Sequence, residues 1–437
     1  MIEIKLTPTQ IGRITNIYKS YIVTSLKNKI QTQIARNGSR AERIAFDFLT
    51  THFLKNGKVS EDRIIEYLLS NDPEKFILSF WECVSSVWCR EFHVAEKHDF
   101  AKRLSKWNGA KHESLKNLEM HKSNASDPAK NIIDTETQIF FARFPATGSK
   151  VKPLTNADLT AKSRLEKVTF DLYEDIGKVY APSKSQRDLT YGALDMLEAI
   201  FQYSLFNGTP RAKLLDAMGI TVCPYCNRQY ITHMSTATGE INTGDIDHFY
   251  YKSLYPYLAL SVYNFIPSCQ ICNSRFKHTQ DCYYSPHVNP HKHGFGSRAM
   301  FRVADIDQLM NETAWNIPGR SLLEINITKN PAGHDPKEAT EEAIRNSVET
   351  FHLNDVYRSH YDYAREIVWK SKIYPDQMIA TLQDEFDSLF DSEKDVIDLI
   401  FGQYLDPTDA CKRPLAKLTQ DLLKDSGTWV IPQKSSK

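Results

Sequence analysis

The chain has 437 residues, long enough for two or three domains of roughly 150 residues each. Lys plus Arg and Asp plus Glu number 54 each, so the formal net charge is zero. With 41% hydrophobic and 25% charged residues, the composition excludes collagen-like, wholly disordered and integral-membrane classes; the even charge balance argues against a protein that coats nucleic acid by bulk electrostatics.

Residues 1–106 read as an N-terminal helical region. The start Met1-Ile2-Glu3-Ile4-Lys5-Leu6 has no apolar run behind a basic segment, so no signal peptide is expected and a cytoplasmic location is the default. Thr7 with Gln10 three residues later forms a capping-box signature, and Ile11, Ile14, Ile17 and Tyr18 follow at helical spacing. Asn37-Gly38 is a stop signal, and a second helix is expected over 40–54. Asp72-Pro73 restarts a block with Phe76, Ile77, Phe80, Val84 and Val87. The apolar stretch 76–89 is too short for a membrane span and reads as a buried helix.

Residues 107–160 are expected to be a polar linker with a short strand at Ile139-Phe140-Phe141. The segment 161–210 resumes helical periodicity near Leu165 and across 190–206, and Asn207-Gly208-Thr209-Pro210 closes it. The block 211–300 differs in kind: it holds six of the 14 His and nine of the 21 Tyr residues. In 301–437, preceded by a strand at 299–303, a second strand is expected at 322–327. Asp335-Pro336-Lys337-Glu338 is a helix start with Pro at the first helical position, and helices follow. The expected fold class is therefore mainly α with a small α+β core.

Four of the eight cysteines form two Cys-x-x-Cys pairs, Cys223-Pro-Tyr-Cys226 and Cys269-Gln-Ile-Cys272. In a cytosolic chain such pairs point to metal rather than disulfides. Two pairs of soft thiolates suit one tetrahedral Zn2+. A closed four-sulfur site has no open position, so this zinc would be structural. Any chemistry must lie elsewhere.

Between and after the pairs stand Gly244-Asp245-Ile246-Asp247-His248-Phe249, Tyr263-Asn264-Phe265-Ile266-Pro267-Ser268 and Cys272-Asn273-Ser274-Arg275-Phe276-Lys277. Over roughly residues 220–280 this pattern resembles the HNH, or ββα-metal, nucleases with a treble-clef-like zinc module. The resemblance implies an Asp-His pair on a strand, an Asn in the loop and a second Asn on the following helix. It implies His248 as the general base and Asp247 with Asn273 as ligands of a catalytic Mg2+ or Mn2+. Asn264 would bridge the loop and orient His248. Asp245, two residues from Asp247 and so on the same strand face, is a candidate either to support the metal ligands from behind or to act as an auxiliary acid. Arg275 and Lys277 on the following helix are candidates to hold phosphate oxygens. The roles suit the residue types, since neutral imidazole accepts a proton near neutral pH and hard cations prefer oxygen ligands.

The implied activity is metal-dependent hydrolysis of phosphodiester bonds in nucleic acid, with DNA ahead of RNA or tRNA. More loosely, the motifs and long helical flanks resemble HNH nucleases of bacterial anti-phage systems, the partners of ATPases in Septu-type and retron-type defence. That implies a protein partner or self-association, and no membrane. Restriction or mobile-element nucleases are the alternative setting. A zinc-stabilised nucleic-acid- or protein-binding module without cleavage is the alternative function. Four further features read more simply as packing or solvated surface: His287, His291 and His293; the cluster Tyr250, Tyr251, Tyr255, Tyr257 and Tyr263; Cys282; and the pair Lys412-Arg413.

Overall fold

The computed structural model describes residues 1–36, 40–92, 190–236, 239–283, 285–310, 323–328, 338–406 and 409–425. The expected linker 107–160, the segment 161–189 and the helix start at Asp335-Pro336 lie outside the described residues. The described chain is mainly helical, with four two-stranded antiparallel sheets. No described helix is long and apolar enough to cross a membrane.

Helix α1 (Pro8–Tyr21) begins at the expected capping box. The Thr7 side chain accepts from the Gln10 N–H, and Gln10 reaches back to the Thr7 N–H at 2.8 Å. The same Gln10 amide donates to the Met218 carbonyl at 2.7 Å, so the cap also ties α1 to the segment before the cysteines. The helix α2 (Val23–Ala35) follows, then α3 (Arg40–Phe53). A hairpin of β1 (Leu54–Lys55) and β2 (Lys58–Val59) turns at Asn56-Gly57, both with positive φ, as a two-residue hairpin loop requires. Helices α4 (Glu61–Leu68) and α5 (Glu74–Phe92) complete the region. The apolar stretch beginning at Phe76 is helical, with Phe76, Ile77, Phe80 and Trp81 buried.

These helices do not stand apart from the central block. Phe80 stacks on Tyr257 at 5.1 Å, and Phe48 lies 5.2 Å from the same ring. The Tyr18 hydroxyl donates to the Leu260 carbonyl at 2.8 Å, the Tyr67 hydroxyl to the Tyr257 carbonyl at 3.0 Å, and the Tyr250 hydroxyl to Glu74. Apolar rings thus bury the loop 249–260 while their polar tips satisfy its backbone, which would otherwise carry unpaired groups.

Helix α6 (Thr190–Ile200), a 3-10 turn (Tyr203–Phe206) and α7 (Thr209–Met218) lead into the core. Gly219 ends α7 in the left-handed region, its N–H on the Leu215 and Asp216 carbonyls. After the first cysteine pair come the hairpin β3 (His233–Thr236) and β4 (Gly239–Asn242), then β5 (Gly244–His248), paired antiparallel with β6 (Phe265–Cys269). A π-helix, Ile271–Lys277, follows β6 directly.

Strand β7 (Ala299–Val303) pairs with β8 (Leu323–Ile327), close to the bounds expected. Between them lies α8 (Ile306–Met310). The next helix, α9 (Glu341–Thr350), is capped by Thr340, whose hydroxyl accepts from the Ala343 N–H at 3.1 Å; it begins after the expected Asp-Pro start. Then come α10 (Leu353–Val356), α11 (Tyr361–Ile373), α12 (Asp376–Glu385), α13 (Glu393–Phe401) and α14 (Ala416–Asp425). A buried Lys417–Asp421 pair one turn apart on α14 lets Asp421 accept from the Phe301 N–H at 2.9 Å, fastening the helix to β7.

Candidate metal centre and acid-base site

The four paired cysteines come together. Their sulfurs all lie within 4.8 Å of one another and all four residues are buried. Among the described residues this is the only group of three or more Cys, His, Asp or Glu side chains placed to hold a metal ion. The Cys226 and Cys269 sulfurs are 4.0 Å apart, near the ~3.8 Å edge of a tetrahedron with Zn–S bonds of about 2.3 Å. The donor set and geometry fit Zn2+.

Local structure explains the convergence. Asn227 takes a positive φ, its N–H returns to the Cys223 carbonyl at 2.8 Å, and Cys223 pairs with Gln229. This tight turn presents the first two sulfurs side by side. The second pair comes from the end of β6 and the first turn of the π-helix. Cys282, buried nearby in sequence, is not part of the cluster.

The π-helix lies against β5. Its widened turn is closed by the His278 N–H on the Asn273 carbonyl, five residues back. Asp245 and Asp247 occupy one face of β5, as residues two apart must. They meet two helix residues about one turn apart: Asn273 Nδ2 donates to Asp245 Oδ2 at 3.1 Å, and Lys277 Nζ to Asp247 Oδ1 at 3.1 Å. Gly244 starts the strand because Ile231 and β6 crowd it; a Cβ there would sit 2.9 Å from the Ile231 Cβ.

Asp247 is not an open ligand. It is 4% exposed, its second oxygen accepts from the Tyr225 hydroxyl at 2.5 Å, and Lys277 also donates to the His248 carbonyl at 2.7 Å. Burial, the largest single influence, lowers the Lys277 ammonium, but its acidic neighbours, Asp247 foremost through charge and hydrogen bond and then Cys282 and Asp281, together outweigh it, and the net shift is upward. Lys277 is therefore a buried counter-ion, not the phosphate-facing group expected from the sequence. Asn273 pairs with Asp245, not with Asp247. The half-exposed oxygens suited to a hard cation belong to Asp245 and Asn273, whereas Asp247 fits one only by giving up its present partners. Arg275 is exposed on the helix.

His248, on the other face of β5, is 7% exposed. Its Nε2 lies 3.0 Å from the Ala259 carbonyl. A carbonyl only accepts, so Nε2 carries the hydrogen and the neutral ring keeps Nδ1 as a bare acceptor. Burial lowers its pKa to about 4, so the ring is neutral at pH 7. Tyr203 packs edge-on at 4.8 Å and Phe265 at 5.1 Å. Asn264 is fully buried. It accepts from the Tyr250 N–H at 2.7 Å and donates to the Tyr250 and Leu258 carbonyls at 3.1 Å, one residue from the carbonyl that holds His248.

Two further histidines singled out in the sequence, His287 and His291, are packing groups. His287 bridges the Ser285 carbonyl and the Thr350 hydroxyl, and His291 donates to the Phe265 carbonyl. Tyr250, Tyr255 and Tyr257 are buried core. Lys412 pairs with Asp409, and both Lys412 and Arg413 lie over the Tyr404 ring. Sequence reasoning missed Tyr225, Tyr203 and Arg211. Tyr225, held between two of the clustered cysteines, carried a signal in its position; the other two precede the motif and carried none. No family model, no curated protein and no solved structure matches the chain.

Proposed function

We propose that the protein is a metal-dependent phosphodiesterase of the HNH type that cleaves nucleic acid, with DNA the favoured substrate. The observation that carries this reading is a neutral, backbone-anchored His248 on the strand that also presents Asp245 to Asn273, braced by a four-cysteine cluster. In this reading His248 Nδ1 takes a proton from water as the oxygen attacks phosphorus, the P–O3′ bond breaks, and the departing 3′ oxygen takes up a proton from solvent. The Ala259 carbonyl holds the ring in the required tautomer, and Asn264 holds the loop that carries Ala259. Asp245 and Asn273 would hold the divalent cation, which when bound offsets the charge of the phosphate. Asp247 keeps β5 fixed to the helix through Lys277. By resemblance, the products would carry 5′-phosphate and 3′-hydroxyl ends, and the setting would be an anti-phage system with a partner ATPase.

The test is plasmid nicking with Mg2+ or Mn2+ against a chelator control. His248→Ala with intact zinc should lose at least about 100-fold in rate, and Asp245→Asn should raise the metal concentration needed for half-maximal cutting. A His248→Ala protein that cuts at the wild-type rate would overturn the reading. The second reading, a zinc-stabilised binding module, is favoured by the occupied state of Asp247 and the deep burial of His248. It predicts nucleic-acid or protein binding with no cutting under any divalent ion.

A further inference from the structure

Arg211 is the third residue of α7, outside the motif that carries the resemblance. Its Nη2 lies 3.8 Å from Asp245 Oδ1, beyond hydrogen-bond reach. Its Nε is buried and has no partner, a costly state for a donor on a charged group. The side chain is 31% exposed, so it can be reached from solvent beside the Asp245–Asn273 pair. The neighbourhood is that of the acid-base site. Tyr203, edge-on to His248, feels the charges of both Arg211 and Asp245, and Lys252 Nζ stands 5.0 Å over the Tyr203 ring.

The residues expected to grip phosphate do not fill that place. Lys277 is consumed by Asp247, and Arg275 has no described contact with β5. An arginine is suited to the task because its planar fork can give two parallel hydrogen bonds to the non-bridging oxygens of one phosphodiester. We propose that Arg211 is the phosphate-binding residue of this site, taking a nucleic-acid phosphodiester between its guanidinium and the Asp245–Asn273 edge. The assignment rests on the active-site reading above for its location, but makes a claim of its own about binding. It also gives α7 a role beyond support: the helix leading into the first cysteine turn delivers a substrate contact, and the zinc cluster fixes that turn relative to β5.

The experiment measures binding apart from cutting. Zinc-loaded full-length protein is titrated into a fluorescein-labelled 12-nucleotide single strand at low salt with a magnesium-binding chelator, and anisotropy is read. Arg211→Gln should weaken binding by about tenfold and reduce the salt slope by about 0.7. Arg211→Lys should recover part of the loss, because the charge returns without the fork. Lys213→Gln, on the same helix but turned to the Tyr21 hydroxyl, should stay within about twofold of wild type. Zinc content and circular dichroism check each variant's fold. Arg211→Gln binding like wild type, or a wild-type protein that does not bind the strand, overturns the inference. If binding depends on Arg211 but the wild-type protein does not cut under Mg2+ or Mn2+, the cleavage reading falls and the phosphate assignment stands. If wild type cuts and Arg211→Gln binds and cuts equally well, the reverse holds.

Discussion

Replacing Lys277 with Met isolates the buried ion pair at the centre of the site. The substitution keeps most of the alkyl stem, so the packing change is small. What it removes is the donor to Asp247 Oδ1 at 3.1 Å and to the His248 carbonyl at 2.7 Å. The two side chains of the pair are 0% and 4% exposed. The remaining Asp247 carboxylate would be buried with only the neutral Tyr225 hydroxyl as partner. Breaking such a pair from one side costs about 3–5 kcal/mol, a large part of a typical domain stability of about 5–15 kcal/mol. Adding Asp247→Asn should recover most of the loss, because the stranded charge is gone. The Lys277 ammonium is raised in the folded state, so its contribution is complete below the unfolded value of about 10.4 and lost only as pH rises through the folded one. The deficit should accordingly be flat from about pH 6 to 9. The assay is urea unfolding of the zinc-loaded protein, followed by circular dichroism and by zinc release. A loss under about 1 kcal/mol for Lys277→Met, or a double variant whose losses simply add, would refute the reasoning.

Zinc content should be one ion per chain; Cys223→Ser, Cys226→Ser, Cys269→Ser or Cys272→Ser should lower it and unfold the central block, since structural sites contribute about 10 kcal/mol or more. Cys282→Ser should retain full zinc by colorimetric release; a zinc loss there would reassign the cluster. Stability should fall as pH drops from about 6.5 towards 4. Burial, aided by Lys75, lowers His52 to about 4, and burial lowers His291 likewise. A depressed histidine is neutral in the fold while the unfolded chain takes up the proton. Each such group therefore removes up to about 1.4 kcal/mol per pH unit in that window. His52→Gln, which can keep the bond to Ser79, should flatten the slope of the urea midpoint between pH 6.5 and 4.5; an unchanged slope would sink the argument.

How much of this was legible depended on whether the controlling physics was local. The capping box at Thr7 and Gln10 needs only neighbours in sequence, and the helix starts where those residues put it. The cysteine pairs were legible because tetrahedral thiolate ligation imposes a spacing that survives any surrounding fold. Strand β7 announced itself by alternation. Asp245 and Asp247 could be placed on one face by strand period alone, but which of them would stay open could not. That is decided by Tyr225 and Lys277, and Lys277 points inward only because the π-helix sets its register against β5. The sequence 272–277 gives no sign of that widened turn. The grip of Tyr18, Tyr67 and Glu74 on the loop 249–260 spans more than 170 positions, and no local pattern encodes it. It means that the N-terminal helices, read first as a separate region, are part of what holds the His248 loop in place.

The even charge balance takes on a more specific meaning at the level of the site. Residues 223–297 carry five Lys or Arg against four Asp or Glu, so the block offers little surplus field to attract a polyanion. The acids of the site are also arranged in pairs, one with a partner inside the block and one with a partner before it. Asp247 is matched by Lys277 within the core, and Asp245 faces Arg211 at 3.8 Å. The first pair is closed, with both partners buried and their bonds made, and it braces β5 against the helix. The second is loose, half-exposed and incomplete, with a cationic donor lacking an acceptor. A phosphate beside Arg211 and a cation beside Asp245 would each complete one side of that pair, and each would lower the cost of binding the other. The chain's neutrality thus does not argue against a phosphodiester ligand. In the proposed reading, recognition rests on one unfinished ion pair rather than on a basic surface.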